Sequence, residues 1–212
     1  ALHAESLRRG TAIHERTEVI DFRDHADAVE LRTASGHRIN AKHLIYATGY
    51  ESRDLLPKDV IHLDSTYALV SEAGCSDNPW PDNALIWETA QPYLYMRTAP
   101  EGRIIVGGRD ERFRSPRLRD ALLARKAAAL EADIAGLFPN LDVRREFAWC
   151  GTFGSTKDGL PYIDRSPTDM HSWFALGMGG NGITFSVIAA EILRDRILGR
   201  PNMDAELFRF DR

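Results

Sequence analysis

The stretch ALGMGGNGITFS, residues 175–186, sets Gly177, Gly179 and Gly182 at the spacing G-x-G-x-x-G. In that pattern a tight turn brings the amides of a helix start onto a dinucleotide pyrophosphate. An apolar run, Trp173-Phe174-Ala175-Leu176, precedes it, and a long apolar segment, 183–198, follows. The local order of strand, turn and helix is right, but the wider context is not. The fingerprint needs a second strand delivering a carboxylate about twenty residues past the glycines. Only thirty residues follow Gly182, and the tail GRPNMDAELFRFDR, 199–212, has no apolar or β-branched run to make that strand. Asp204 and Glu206 stand at a suitable distance with no strand to carry them.

What survives is a statement about the helix start. The segment from 183 is apolar nearly all round, through Ile183, Phe185, Val187, Ile188, Ile192, Leu193 and Ile197, which predicts a core helix with a buried N-terminus. Buried N-terminal amides need acceptors, and Gly177, Gly179, Gly180 and Gly182 let an acceptor approach closely where the helix dipole favours negative charge. The stretch reads as a site for an anionic or strongly accepting group; a turn whose glycines only permit packing is the competing reading. A second candidate is Ala47-Thr48-Gly49-Tyr50, after the run HLIYA, 43–47. That run predicts a strand buried on both faces, and the carboxyl edge of such a strand is where α/β sheets meet their ligands. An ordinary strand terminator at Gly49 is the alternative.

Composition narrows the class. The chain has 212 residues, 43% of them hydrophobic, with a net charge of -4, enough for one large or two small globular domains. No basic block favours nucleic acid. The longest apolar stretch is broken by Thr184, Ser186 and Glu191 and is too short for a bilayer. Two cysteines, Cys75 and Cys150, make neither a disulfide framework nor a zinc site. With no signal peptide, they fit a reducing, cytoplasmic setting. The seven histidines show no ligand spacing, so no metal site is expected and no catalytic acid or base is nominated.

Along the chain, short strands are expected at 12–14, 18–23, 28–33, 37–40 and 43–47, with a hairpin turn at Ala34-Ser35-Gly36. The span 66–108 reads as β-rich, with strands at 85–87, 93–96 and 103–106 and a turn at Pro100-Glu101-Gly102. A helix follows, with Ser115 as N-cap, Pro116 at its first position, and Leu118, Leu122, Leu130, Ile134 and Leu137 on one face. After REFAWCG a loop is expected over TFGSTKDGLPYIDRSPTD, in which Asp158 orders a turn.

Taken in order, LIYATGY (44–50), the hairpin YLYMRTAPEGRIIVGGRDE (93–111), and WCGTFGSTKDGLPYID (149–164) followed by FALGMGGNGITFS (174–186) resemble the C-terminal part of the D-amino-acid oxidase and glycine oxidase family of FAD-dependent oxidoreductases. The resemblance covers nearly the whole chain. It implies α/β plus α+β architecture: an FAD/NAD(P)-binding-type domain split between 1–64 and 149–212, with an inserted substrate domain, 65–148, built on an antiparallel sheet. FAD is the implied cofactor. Met178, Gly179, Gly180, Asn181, Gly182, Ile183 and Thr184 would border its isoalloxazine, with the helix start stabilising negative charge on the reduced ring. Ala47, Thr48 and Gly49 would border the dinucleotide portion, Val19 would meet the adenine through its backbone, and Gly151 would join the cofactor-binding set. The implied reaction moves a hydride from a C–H beside a substrate nitrogen to the flavin, giving an imine that water hydrolyses. A binding or assembly module that keeps the fold without catalysis is the alternative.

Two departures from the family pattern matter. The family's own G-x-G-x-x-G, with its first strand and helix, would precede Ala1. The opening ALHAESLRRG reads as the tail of a helix stopped by Gly10, and the expectation is a piece of a longer protein, inactive alone. The second departure concerns substrate. Amino-acid-oxidising relatives present an arginine where this chain has Phe153, and some present another at the position of Gly180, where a guanidinium grips the substrate carboxylate. An amine or N-substituted small molecule is therefore the expected substrate. Arg97 could replace the missing clamp, and Tyr95 and Trp87 could line the pocket, with a solvated arginine and ordinary packing as alternatives. Cys150 could carry the flavin covalently, as in some relatives, or be a small packed side chain.

Overall fold

A computed structural model describes residues 1–56, 60–76, 79–90 and 92–212. In chain order it begins α1 (Leu2–Arg8), β1 (Val19–Asp24), β2 (Val29–Thr33), β3 (Arg38–Ala41) and β4 (Leu44–Tyr46). Then come β5 (His62–Ser71), β6 (Ile86–Trp87), β7 (Leu94–Ala99), β8 (Arg103–Arg112), α2 (Pro116–Ala121) and α3 (Leu123–Leu137). The chain closes with β9 (Arg145–Ser155), β10 (Tyr162–Arg165), β11 (Ser172–Leu176) and α4 (Gly182–Ile197). Contacts divide it into two compact units, one of Ala1–Ala47, Tyr162–Ala175 and Ser186–Arg212, the other of Thr48–Pro161 and Leu176–Phe185. No helix among the described residues is long and apolar enough to cross a membrane.

In the first unit, β1, β2 and β3 form an antiparallel meander. Its β2–β3 turn falls at Ala34–Gly36 as the sequence suggests, with Gly36 at φ +87 and its amide on Thr33 O at 2.9 Å. The extended segment expected at 12–14 is not a strand; three residues without a neighbouring strand gain no ladder hydrogen bonds. A second sheet has the order β10-β11-β4, with β11 and β4 parallel. Here the expectation for HLIYA needs correction. All five residues of β11 are buried, whereas β4 is an edge strand whose Ile45 is 46% exposed; the two-sided burial belongs to the neighbour that has strands on both sides. Tyr46 stacks on Phe174 at 4.7 Å and meets Phe22 edge-on at 5.9 Å. Asp24 at the end of β1 accepts from the amides of Met170 and His171 and contacts the His171 ring.

α4 also differs from expectation. It buries only the stripe Ala189, Ile192 and Leu193, with Asp195 one turn on, while Ile183 is 90% exposed and Val187 60%. The spacing of three and four is that of an amphipathic helix with one covered face. These 212 residues therefore cover one face of the helix start and not the whole of it.

In the second unit the five-stranded antiparallel sheet has the order β6-β7-β8-β5-β9. Residues alternate in direction along a strand, so Tyr67 and Leu69 of β5, Leu94 and Met96 of β7, and Ile104 and Val106 of β8 share a face. They close on Leu130 and Ile134 of α3. Burial of each such side chain contributes roughly 1.5–3 kcal/mol. Ser115 caps α2, its Oγ accepting from Leu118 N at 3.2 Å with Pro116 at the first position. The helix breaks at Leu122, and Leu118 (42% exposed) and Leu137 (54%) lie off the buried stripe, which is Lys126, Ala127, Leu130 and Ile134. β9 runs through the segment expected as loop: TFGS pairs with β5, Leu63 opposite Gly154 and Asp64 opposite Phe153. Gly154 permits this, since a Cβ there would lie 2.8 Å from Ile61 Cδ1. The loop that follows is short and ordered by Asp158, whose Oδ1 accepts from Leu160 N at 3.2 Å; YIDR beyond it is β10.

Candidate functional site

The glycine-rich turn lies within the second unit, and its glycines do different work. Gly177 takes φ +78, and a Cβ there would sit 2.6 Å from Thr156 Cγ2 and 3.0 Å from Ile61 Cγ2. It is a packing glycine in a left-handed conformation. Gly179 also has positive φ, +55, but a Cβ on it meets nothing within 4 Å. Gly180 faces Tyr93, whose hydroxyl would be 3.2 Å from an added Cβ. A single 3-10 turn, Gly179–Asn181, then leads into α4 without a side-chain cap at Met178.

Opposite the α3-covered face, the sheet presents the other set of alternating residues. Tyr93, Tyr95 and Arg97 project together, as do Asp64 and Thr66, with Phe153 paired to Asp64. Tyr95 is paired with Gly107, where a Cβ would fall 2.2 Å from Tyr95 Cζ. The missing side chain is what lets the phenol ring lie across β8. Trp87 and Tyr93 are 6.3 Å apart between ring centroids, and Tyr93 and Tyr95 6.0 Å, forming an aromatic wall.

This wall and the turn border an open cavity of about 1370 Å³, to which Gly177, Met178, Gly179, Gly180 and Asn181 contribute one side. Asp64, Thr66, Asp110, Glu111 and Arg112 contribute polar groups. Burial raises the Tyr93 and Tyr95 hydroxyls above the ordinary phenol range, with Asp110 adding to the effect on both. Burial likewise pushes the Asp110 carboxyl up, although the hydroxyls of Thr66 and Tyr93 act against it.

Of the residues nominated from sequence, Met178, Gly179, Gly180, Asn181, Trp87, Tyr95, Arg97 and Phe153 line this cavity. Gly182, Ile183 and Thr184 open α4 just beyond the lining. Gly151 lies on β9 opposite Thr66. Val19 on β1 and Ala47 after β4 belong to the other unit, while Thr48 and Gly49 open a 3-10 turn in which Ser52 Oγ donates to Gly49 O at 2.9 Å. Arg97 is exposed and donates to Thr98 O at 3.2 Å. Cys150 Sγ lies 3.3 Å from Asp120 Oδ1, and burial raises its thiol.

Sequence reasoning missed Tyr93, Thr66 and Asp110. The signal was the diglycine Gly107-Gly108 directly after the β-branched run Ile104-Ile105-Val106, which marks a close approach or a bulge. Both occur here. Ser65 pairs with Glu111 and Tyr67 with Gly108, so Arg109 and Asp110 together face the one position Thr66. Gly108 has φ +138 and Arg109 φ +56. The bulge places Asp110 in the cavity lining.

Comparison with known proteins gives the lineage. Glycine oxidase from Bacillus licheniformis is 29% identical over 197 residues, 91% of this chain and 50% of that protein. Glycine oxidase from Bacillus subtilis (strain 168) is 28% identical over 211 residues, 96% of this chain and 54% of that protein. The chain thus spans about half the length of the curated relatives it matches. Among solved structures, iminodiacetate oxidase from Chelativorans sp. BNC1 shares the fold with a TM-score of 0.76 at 19% identity, over 98% of this chain and 57% of that one. A family model described as FAD dependent oxidoreductase, DAO, matches residues 1–196, and the chain belongs to that family of flavoenzymes.

Proposed function

We propose that the full-length protein oxidises the C–N bond of a small amine or amino-acid-like molecule, with 1–64 and 149–212 contributing to its FAD-binding domain and 65–148 to its substrate domain. The observation that carries this reading is the cavity in which the glycine-rich turn faces the aromatic wall of the sheet. When bound, FAD supplies the two-electron acceptor for hydride from the substrate carbon. The residues present suit its electron-rich end: the space over Gly179 is open, and the 3-10 turn Gly179–Asn181 that leads into α4 starts at Met178 without a side-chain cap. Met178 to Thr184 would hold that end of the ring, with Gly151, Ala47, Thr48, Gly49 and Val19 along the rest of the cofactor.

The chain's own part is placement and electrostatics. Tyr93, Tyr95 and Trp87 bound the substrate space on one side. Phe153 supplies an apolar surface where a guanidinium would select a carboxylate, which favours an amine over an α-amino acid. The setting is cytoplasmic and the partner a small molecule. FAD content of the purified full-length protein tests the reading. A stoichiometric yellow protein that loses FAD when Gly180→Val fills the turn supports it, whereas a protein that neither holds nor takes up FAD contradicts it.

A further inference from the structure

We propose that Asp110 receives the cationic nitrogen of the substrate, so that the cavity selects an alkylammonium carrying no carboxylate near the reacting carbon. This rests on the amine-oxidation reading and names the substrate class for that site.

The bulge in β8 is built and held. Arg109, at φ +56, is latched by a two-armed contact with Asp133, its Nε donating to Oδ2 at 2.7 Å and its Nη2 to Oδ1. Its carbonyl accepts from Lys126 Nζ at 2.7 Å. A backbone kept in an unfavourable region needs such determinants, and the outcome here is that Asp110 lines the cavity instead of continuing the ladder. Asp110 Oδ1 is shielded from solvent and has no hydrogen-bond partner. The hydroxyls of Thr66 and Tyr93 bear on the carboxyl, but both are neutral, and an oxygen left unpaired at such a place is costly.

Among the positive groups, Lys126 acts on Asp110 across space but makes its contacts elsewhere, and Arg97, also in the cavity lining, donates to Thr98 O at 3.2 Å. Lys126 pairs with Glu111 at 2.9 Å and lies over the Tyr67 ring at 5.3 Å. Arg112 is 3.8 Å from Asp64, and His62 is 3.2 Å from the same carboxylate. Asp64 and Tyr93 add no positive charge, and no ion pair to Asp110 occurs among the described residues. An alkylammonium supplies what is missing: a cation, several N–H donors, and an alkyl body that packs on aromatic rings with a cation–π contribution from them. The Tyr93 hydroxyl, which interacts with Asp110, is also the atom that Gly180 faces, so a nitrogen held at Asp110 lies on the side of the cavity nearest the turn. An α-carboxylate brought to Asp110 itself would meet like charge there, with Asp64 and Glu111 also in the lining, Arg112 beside Asp64 and Arg97 on the Thr98 carbonyl.

The test uses three compounds of one shape on the full-length holoprotein: tert-butylammonium, tert-butanol and pivalate. None has a C–H beside a nitrogen, so none can be oxidised, and calorimetry reads binding alone. Tert-butylammonium is expected to bind about tenfold or more tightly than either of the others, the scale of one charge-assisted hydrogen bond. Asp110→Asn is expected to erase that preference without weakening tert-butanol. Equal or tighter binding of pivalate by the wild type would overturn the proposal with no variant needed, as would an unchanged preference in folded Asp110→Asn. Pivalate preference in a protein that carries FAD removes the role of Asp110 and leaves the flavoenzyme reading intact. Ammonium preference in a protein that takes up no FAD does the reverse.

Discussion

The two faces of the β6-β7-β8-β5-β9 sheet are cut from the same strands and meet opposite ends. One, made of Tyr67, Leu69, Met96, Ile104 and Val106, is closed by α3. The other, made of Tyr93, Tyr95, Arg97, Asp64, Thr66 and Phe153, borders a cavity. Strand alternation assigns residues to faces, and it does so cleanly on the closed side. On the open side it is interrupted twice, by Gly107 under the Tyr95 ring and by the Arg109-Asp110 bulge. Regular pleating builds the core, and departures from it shape the site.

The contrast breaks most visibly under truncation. Ile104→Ala on the closed face is expected to cost about 3 kcal/mol, since the buried space refills only in part. Phe153→Ala on the open face is expected to cost under about 1 kcal/mol, and urea midpoints at constant m would show the difference. An equal loss at both would mean the open face is a second core. Gly107→Val comes next, at about 1–3 kcal/mol from overpacking against Tyr95. Adding Tyr95→Ala should recover most of that loss in a double-mutant cycle, and failure to recover it would place the strain elsewhere.

The turn offers a finer comparison. Gly177→Ala and Gly179→Ala both force a side chain into left-handed backbone, about 1–2 kcal/mol each. Only Gly177 adds a clash, with Thr156 Cγ2 at 2.6 Å. Thr156→Ser should therefore rescue the first variant in thermal melts and leave the second unchanged. The smallest effect concerns Asp110. Because its carboxyl is raised by burial, the folded state binds its proton more readily than the unfolded state. The associated stability is present below the ordinary carboxylate range and is lost as pH rises through the elevated folded value. Asp110→Asn lacks this loss, so its advantage over the wild type should grow from acid to neutral pH. A gap that narrows over that interval would contradict the sign.

Local chemistry was legible in the sequence where it was self-contained. The Ser115-Pro116 cap, the Ala34–Gly36 turn and the Asp158 turn need only neighbouring residues, and each is found. Burial was less legible, because an apolar run does not say what covers it. HLIYA lies at a sheet edge, and the apolar start of α4 presents Ile183 to solvent. Among the site residues, the glycine-rich turn announced itself by spacing. Asp110 did not, since one charged residue in GGRDER says nothing of direction until the register of β8 against β5 is known.

The most direct test of the site as an amine-oxidising flavin centre is the visible spectrum of the full-length protein, purified without added cofactor. It would be followed anaerobically during addition of a primary or secondary alkylamine and, separately, of glycine. A yellow protein bleached by the alkylamine and left oxidised by glycine is the predicted result. A colourless protein that takes up no FAD, or a yellow one bleached by glycine and not by amines, would contradict it.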